Sequence, residues 1–139
     1  VPEIYRQLKQ SWDRAGQSGK VFVKLGNNSS RDFMYAGDQA KIAVLLLEYG
    51  NFGEVYNLGS EESIRIYDLA KLMGKIMGFE EVVVEEDPAR KRPWEIWSLR
   101  SANDKIKRTI PDFPKLHTLE ESLTKTINYF ETMEEEWPW

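Results

Sequence analysis

An α/β fold is the class this sequence predicts, and three observations predict it. Stretches with apolar residues three and four apart alternate with short runs of strand composition, "VFVKL" at 21–25, "EVYNLG" at 54–59 and "VVVEE" at 82–86; these are the periodicities that separate helices from strands. Glycine or proline stands at most of the joints between them. The 139 residues, 41% hydrophobic and 12% aromatic, have the length of one domain and enough apolar side chain for a core.

Taken in order, Pro2 suits the first turn of a helix, where its missing N–H costs nothing. Ile4, Leu8 and Trp12 recur behind it at helical spacing, up to "AGQSGK". The β-branched run 21–25 reads as a strand. Asp38 can cap a helix carrying Ile42, Leu45, Leu46 and Tyr49, which Gly50 stops. The run 54–59 reads as a second strand that halts at Gly59. Ser63 is placed to cap the next helix, whose Ile66, Leu69, Met73 and Ile76 share one face before Gly78. The run 82–86 is a third strand, and "EIWSL" at 95–99 alternates as a short edge strand would. Ser101 with Asp104 opens a brief helix that ends near "IPDFP". Thr118 and Glu121 form a capping box for a last helix, which buries Leu119, Leu123, Ile127 and Phe130 before an acidic, tryptophan-rich tail. Three or four short strands make a thin sheet, so the chain reads as a piece of a longer polypeptide. Its start points the same way, having no initiator methionine and opening directly on a helix.

Composition excludes several functions. The net charge is −4 with both signs interspersed, which argues against a nucleic-acid partner. There is no cysteine, hence no disulfide framework and no thiolate metal site; a reducing compartment is compatible with this without being demanded by it, and a cytoplasmic location is the expectation. The longest apolar run, Ile42 to Leu47, falls far short of the ~20 residues that span a bilayer, and the N-terminus has no signal layout.

The chemistry-bearing residues do not assemble a catalytic centre. No glycine-rich dinucleotide turn follows a strand. His117 precedes a helix cap and reads as a surface residue. The carboxylate runs 80–81, 85–87 and 134–136 read as solvated faces, and no His, Asp and Glu cluster has metal-ligand spacing. Two cations stand in unusual settings. Arg31 lies in "GNNSSRDFMYAGDQA", between a loop of small residues and a helix. Arg92 lies in "ARKRPWEIW", where Pro93 forces it into an extended conformation and so presents it on a fixed stalk. Two arginines can clamp a diphosphate through forked contacts, and Glu95 can accept from a sugar diol. An exposed basic patch of Arg90, Lys91 and Arg92, offsetting "EEDP", is the other reading. Local spacing by itself favours the basic patch.

Five segments in order, "VPEIYRQL", "VKLGNNSSRDFMYAGDQA", "EVYNLGSEESIRIYDLAKLM", "RPWEIWSLRSANDKIKR" and "LEESLTKTINYF", resemble the C-terminal half of the extended short-chain dehydrogenases that modify nucleotide sugars, the NAD-dependent epimerase/dehydratase family. The resemblance covers nearly the whole chain. It implies that residues 1–139 complete a Rossmann-type sheet and form a small, mostly helical substrate domain. An N-terminal Rossmann half outside this chain would bind NAD or NADP and hold the catalytic residues, so none is expected here. It implies that Arg31, of the Arg-Asp-Phe motif, and Arg92, of the Arg-Pro motif, contact the substrate diphosphate. Glu95 would lie at the ribose, and Pro2, Val23 and Leu25 would border the base. Asn57 and Gly59 match a structural strand end, and Asp38 a helix-opening cap. Departures are Pro111 at a position usually held by glycine and Trp94 where a small residue is usual, which narrows the pocket wall. The pattern resembles the 4,6-dehydratase branch, a lyase chemistry, more than the 4-epimerase branch, an isomerase chemistry. The partners implied are a nucleotide sugar, the missing Rossmann half and a second copy in a homodimer. The alternative is a non-enzymatic nucleotide-sugar or protein-binding module derived from such an enzyme.

Overall fold

The structure, a computed structural model, describes residues 1–15 and 19–133. In chain order its elements are α1 (Pro2–Ala15), β1 (Lys20–Leu25), β2 (Ser30–Asp32), α2 (Ala36–Tyr49), β3 (Ser63–Arg65), α3 (Ile66–Ile76), β4 (Glu81–Glu86), a 3-10 turn (Pro88–Arg90), α4 (Asp104–Thr109) and α5 (Leu119–Thr132). The α/β class is borne out. The acidic tail of the sequence lies outside the described residues.

Along β1 the residues Val21, Val23 and Leu25 are buried and those between them exposed, the period-two signature of a strand with one covered face. β4 lies parallel beside it, Val21 opposite Val82 and Val23 opposite Val84. Parallel neighbours require a long crossover, and here it contains β2, α2, β3 and α3. The covered face packs on α1 through Ile4, Tyr5 and Leu8, on α3 through Leu69, Ala70 and Met73, and on α5 through Leu123, Ile127 and Phe130. A smaller core gathers Ile42 of α2 with Ile106 and Ile110 at α4, flanked by Tyr56, Leu58 and Phe113.

Several expectations are corrected. Residues 54–59 are not a strand; they run without a strand partner among the described residues. Extended backbone becomes a strand only where another edge accepts its ladder of hydrogen bonds. Ser63 does not cap α3. It opens β3, which pairs antiparallel with β2, Asp32 opposite Ser63 and Ser30 opposite Arg65. The capping role passes to the loop before β2: Ser29 O accepts from Ile66 N at 3.0 Å and Asn28 Oδ1 from Tyr67 N at 3.0 Å. Asp38 does not cap α2, whose cap is Tyr35 without a side-chain bond. Its buried carboxylate instead accepts from the His117 backbone N–H and pairs with the His117 ring at Nδ1, both at 2.8 Å. Ser101 does not cap α4, which starts after Asn103. Residues 95–99 form a single parallel bridge, Ser30 to Ser98, rather than a strand. The capping box of Thr118 and Glu121 is present with both of its bonds.

The small core covers only one side of α2. Leu47 is 88% exposed, Val44 64%, and beyond the helix Phe52 is 107% and Val55 78% exposed. Together with the unpaired segment 54–58 this is surface that promotes association. These 139 residues expressed alone are therefore expected to self-associate, as measured by size-exclusion chromatography with light scattering. A monodisperse monomer at all concentrations is the contrary result.

Candidate functional site

The site lies beyond the C-terminal ends of the parallel pair β1 and β4, the place where open α/β sheets bind ligands. Two loops leave there, 26–29 and 87–92, and they are locked together. Asp87 N donates to Leu25 O at 2.7 Å. A Cβ on Gly26 would stand 2.3 Å from Arg90 O, so only glycine permits this approach. Tyr67 Oη donates to Gly26 O at 2.8 Å, holding the loop from α3. The Asn27 amide then pairs with the Arg92 main chain, accepting from its N–H at 3.2 Å and donating to its carbonyl at 3.5 Å. The backbone of Arg92 is thus held on one side by Asn27 and on the other by the restriction Pro93 imposes.

Four cations surround this joint, and their pairing differs. Arg90 Nη1 meets Glu3 at 2.9 Å and Arg90 Nε meets Asp87 at 3.3 Å. Lys91 meets Glu86 at 2.6 Å. Arg31 meets Glu95. The side chain of Arg92 is exposed and has no carboxylate partner among the described residues. Glu3, bonded by Arg6 first and also by Gln7 and Arg90, is held down to a pKa of about 2 despite its partial burial. Its bond to Arg90 brings the start of α1, including the exposed Pro2, to the same loop. Val23 and Leu25 are 0% and 6% exposed and point into the core. Strand alternation turns their side chains away from the surface, and it is the side chains between them, such as the half-exposed Phe22, that β1 presents outward.

Arg31 sits on β2 and reaches the segment after Pro93. Its Nη1 donates to the carbonyls of Ser30 at 2.8 Å and Ile96 at 2.6 Å, and its Nη2 to Glu95. The structure therefore brings Arg31 and Glu95 into contact, with Arg92 three residues from Glu95 on the same strip of chain.

The neighbour in the motif, Asp32, does more than sequence reasoning gave it. Its carboxylate accepts from Ser60 N at 2.7 Å, Ser60 Oγ at 2.6 Å, Glu61 N at 3.1 Å and Ser101 N at 3.0 Å. Burial pushes its pKa up, but these hydrogen bonds, led by the Ser60 hydroxyl, outweigh it and hold the carboxyl below its ordinary range. Asn103, fully buried, completes the knot: its amide donates to Gly59 O at 2.7 Å and accepts from Gly59 N at 3.1 Å. A Cβ on Gly59 would stand 2.5 Å from Ser101 Cβ and 2.6 Å from Asp32 Oδ2. The structural role read for Gly59 is thereby given its cause. Asn103 and Ser60 were missed because nothing in their local spacing signals a partner some 28 to 44 residues away. The one available signal was the tight "NLGS" before a helix.

No protein-family model matches the chain. Among curated proteins, the GDP-6-deoxy-D-mannose reductase of Pseudomonas aeruginosa PAO1 is 31% identical over 103 residues, 74% of this chain and 33% of the relative. Among solved structures, RMD from Pseudomonas aeruginosa complexed with NADPH superposes with a TM-score of 0.74 at 21% identity, over 94% of this chain and 41% of that one. The dTDP-glucose 4,6-dehydratase (rfbB) of Bacillus anthracis str. Ames in complex with NAD gives 0.70 at 18% identity, over 97% and 40%. The chain thus spans a third of the curated relative and about two fifths of these structures. The class these likenesses define is an α/β fold with a parallel strand pair, whose carboxyl ends carry the candidate site. More particularly, the fold is the one that the C-terminal part of the extended short-chain dehydrogenases of the epimerase/dehydratase type adopts.

Among the described residues no three His, Cys, Asp or Glu side chains are grouped to hold a metal ion, and no helix is long and apolar enough to cross a membrane.

The Asp32 knot has a testable pH signature. A depressed folded-state pKa contributes stability that is complete above the free carboxyl's value of 3.8 and is lost as pH falls through the lower folded value. Urea denaturation should show that Asp32→Asn lowers stability at pH 7 by about 1.5–3 kcal/mol, with the gap to the parent closing as pH falls below that value. A constant gap down to the acid transition would show that the charge of Asp32 does not hold the knot.

Proposed function

We propose that this chain is the substrate-binding part of an NAD(P)-dependent enzyme that modifies the sugar of a nucleotide sugar. Its dinucleotide-binding half would precede it in the polypeptide. The observation that carries the reading is Arg92 at the carboxyl ends of β1 and β4, its backbone pinned by Asn27 and its guanidinium without an acidic partner among the described residues, in a cluster where Arg90, Lys91 and Arg31 all have one. A diphosphate needs an uncompensated cation in a fixed place, and this is the position that offers one. Arg31 approaches from β2, and Pro2 with the β1 backbone borders the side where the base would lie. The comparisons support the coarse reading, since the similar proteins bear reductase, epimerase and dehydratase names. Between these chemistries we favour the 4,6-dehydratase reaction, on the "LGN", "RPWEIWSL" and "NDKIK" segments.

The nicotinamide cofactor, held by the other half, would supply hydride exchange with the sugar. The residues of this chain would do the binding. Arg92 would neutralise the diphosphate, and the locked loops 26–29 and 87–92 would fix the sugar's distance from the cofactor. Pinning of this kind lowers the barrier by orientation, because ordering the substrate is then completed on binding.

Titration of the two-part enzyme with nucleoside diphosphates tests the assignment. Arg92→Ala should weaken binding by about 1.5–3 kcal/mol, roughly ten- to a hundredfold, and Arg92→Lys should restore only part. Arg90→Ala and Lys91→Ala, which remove exposed, paired charges, should each cost less than about 1 kcal/mol. If Arg90→Ala abolishes binding while Arg92→Ala binds like the parent, the clamp is misassigned.

A further inference from the structure

The first N–H groups of a helix have no partner inside it, and α3 finds two of its partners in the loop 26–29. Ile66 N donates to Ser29 O and Tyr67 N to Asn28 Oδ1, each at 3.0 Å. Tyr67 then reaches back, its hydroxyl donating to Gly26 O at 2.8 Å. One residue of α3 thus holds Gly26 with its side chain and Asn28 with its main chain, the two residues that flank Asn27. The amide of Asn27 itself is spent on Arg92, accepting from its N–H at 3.2 Å and donating to its carbonyl at 3.5 Å. Both distances are at the long end for hydrogen bonds, so a small turn of the Asn27 backbone breaks the pairing.

We infer that Tyr67 is a positioning residue for the diphosphate: by holding both neighbours of Asn27 it sets, through Asn27, where Arg92 stands. The inference rests on the reading of Arg92 given above. The Gly26 carbonyl belongs to the planar peptide unit that leads into Asn27. A bond to its oxygen therefore fixes the plane from which the Asn27 side chain departs. The Tyr67 ring packs against the main core, which a phenylalanine ring would also do; only the hydroxyl reaches the loop. Partial burial first, and the Glu86 carboxylate after it, push the Tyr67 pKa up from its ordinary 10.0, with Lys91 opposing. The hydroxyl therefore keeps its proton, and the bond its donor, through the neutral range.

Calorimetric titration of the two-part enzyme with the best binder among GDP, UDP and dTDP tests this. Tyr67→Phe keeps the ring and loses the bond, and is expected to weaken binding about three- to tenfold. Asn27→Ala should weaken it at least as much. The double variant should lose no more than Asn27→Ala alone, because without Asn27 the hydroxyl has nothing to position. Hydrogen exchange gives a second readout. In Tyr67→Phe the Arg92 amide, which donates to Asn27, should exchange faster than in the parent while the amides of α5 keep their parental rates. A tyrosine that only stabilised the fold would speed both together. Asn28→Ala, which frees the other neighbour of Asn27, carries the test if Tyr67→Phe does not fold, and its loss should likewise vanish in the Asn27→Ala background. Unchanged binding by Tyr67→Phe, or losses that add in the double variant, would overturn the inference. If the parent binds none of the nucleotides, or Arg92→Ala binds like the parent, the reading of Arg92 falls and this inference with it. If Arg92→Ala loses the ligand and Tyr67→Phe does not, the inference falls alone.

Discussion

The carboxylate of Asp32 gathers four donors from two segments that are remote in sequence, and the geometry of the site depends on it. Residues 59–61 and 101 contribute no regular structure of their own. What fixes them is a shared acceptor at the end of β2. Once they are fixed, the chain from Pro93 to Ser101 must return along β2. There Trp97 O accepts from Ser30 N at 2.8 Å and Leu99 N donates to Ser30 O at 3.2 Å. That return delivers Glu95 to Arg31. Glu61, at a φ of 64°, shows that the arrangement tolerates backbone strain of about 1–2 kcal/mol to close. Its N–H bonds Asp32, and its side chain accepts from Asn103 N and pairs with Lys107.

Charge pairing then does the selecting. The segment 85–92 carries as many acids as bases, Glu85, Glu86 and Asp87 against Arg90, Lys91 and Arg92, and seen as a string it is a neutral patch. Folding distributes the partners unevenly. Glu3 arrives from α1 and Asp87 from the turn to occupy Arg90, Glu86 occupies Lys91, and among the described residues no acid occupies Arg92. Pairs at this exposure add little stability. Their effect is to leave Arg92 as the cation of this cluster without a carboxylate partner among the described residues.

The sequence made legible what depends on short-range periodicity. Helices at α1, α3 and α5, the strands β1 and β4, and the capping box at Thr118 follow from residues within one or two turns of each other. It failed where a residue's partner is remote. Ser63, Ser101 and Asp38 look like caps by local chemistry, yet each is used elsewhere: by β2, by Asp32 and Asn103, and by His117. The run 54–59 has the composition of a strand but no edge to join among the described residues, and composition cannot supply the partner. β2 escaped notice because three residues bordered by small polar ones carry no alternation. Arg31 and Arg92 were singled out by their settings, at a loop–helix joint and before Pro93, and motif order added the diphosphate role. The reason Arg92 stands out from its neighbours became visible only with the ion pairs in place.

The central claim is that Arg92 is the cation that meets a substrate diphosphate, in a loop pinned by Asn27 and organised through Asp32. A crystal structure of the two-part enzyme with a bound nucleoside diphosphate tests it most directly. The account predicts a phosphate oxygen within hydrogen-bond distance of the Arg92 guanidinium, with the Asn27–Arg92 pairing and the Arg31–Glu95 contact intact. A diphosphate bound away from the ends of β1 and β4, or held there by Arg90 or Lys91 with Arg92 turned to solvent, would contradict it.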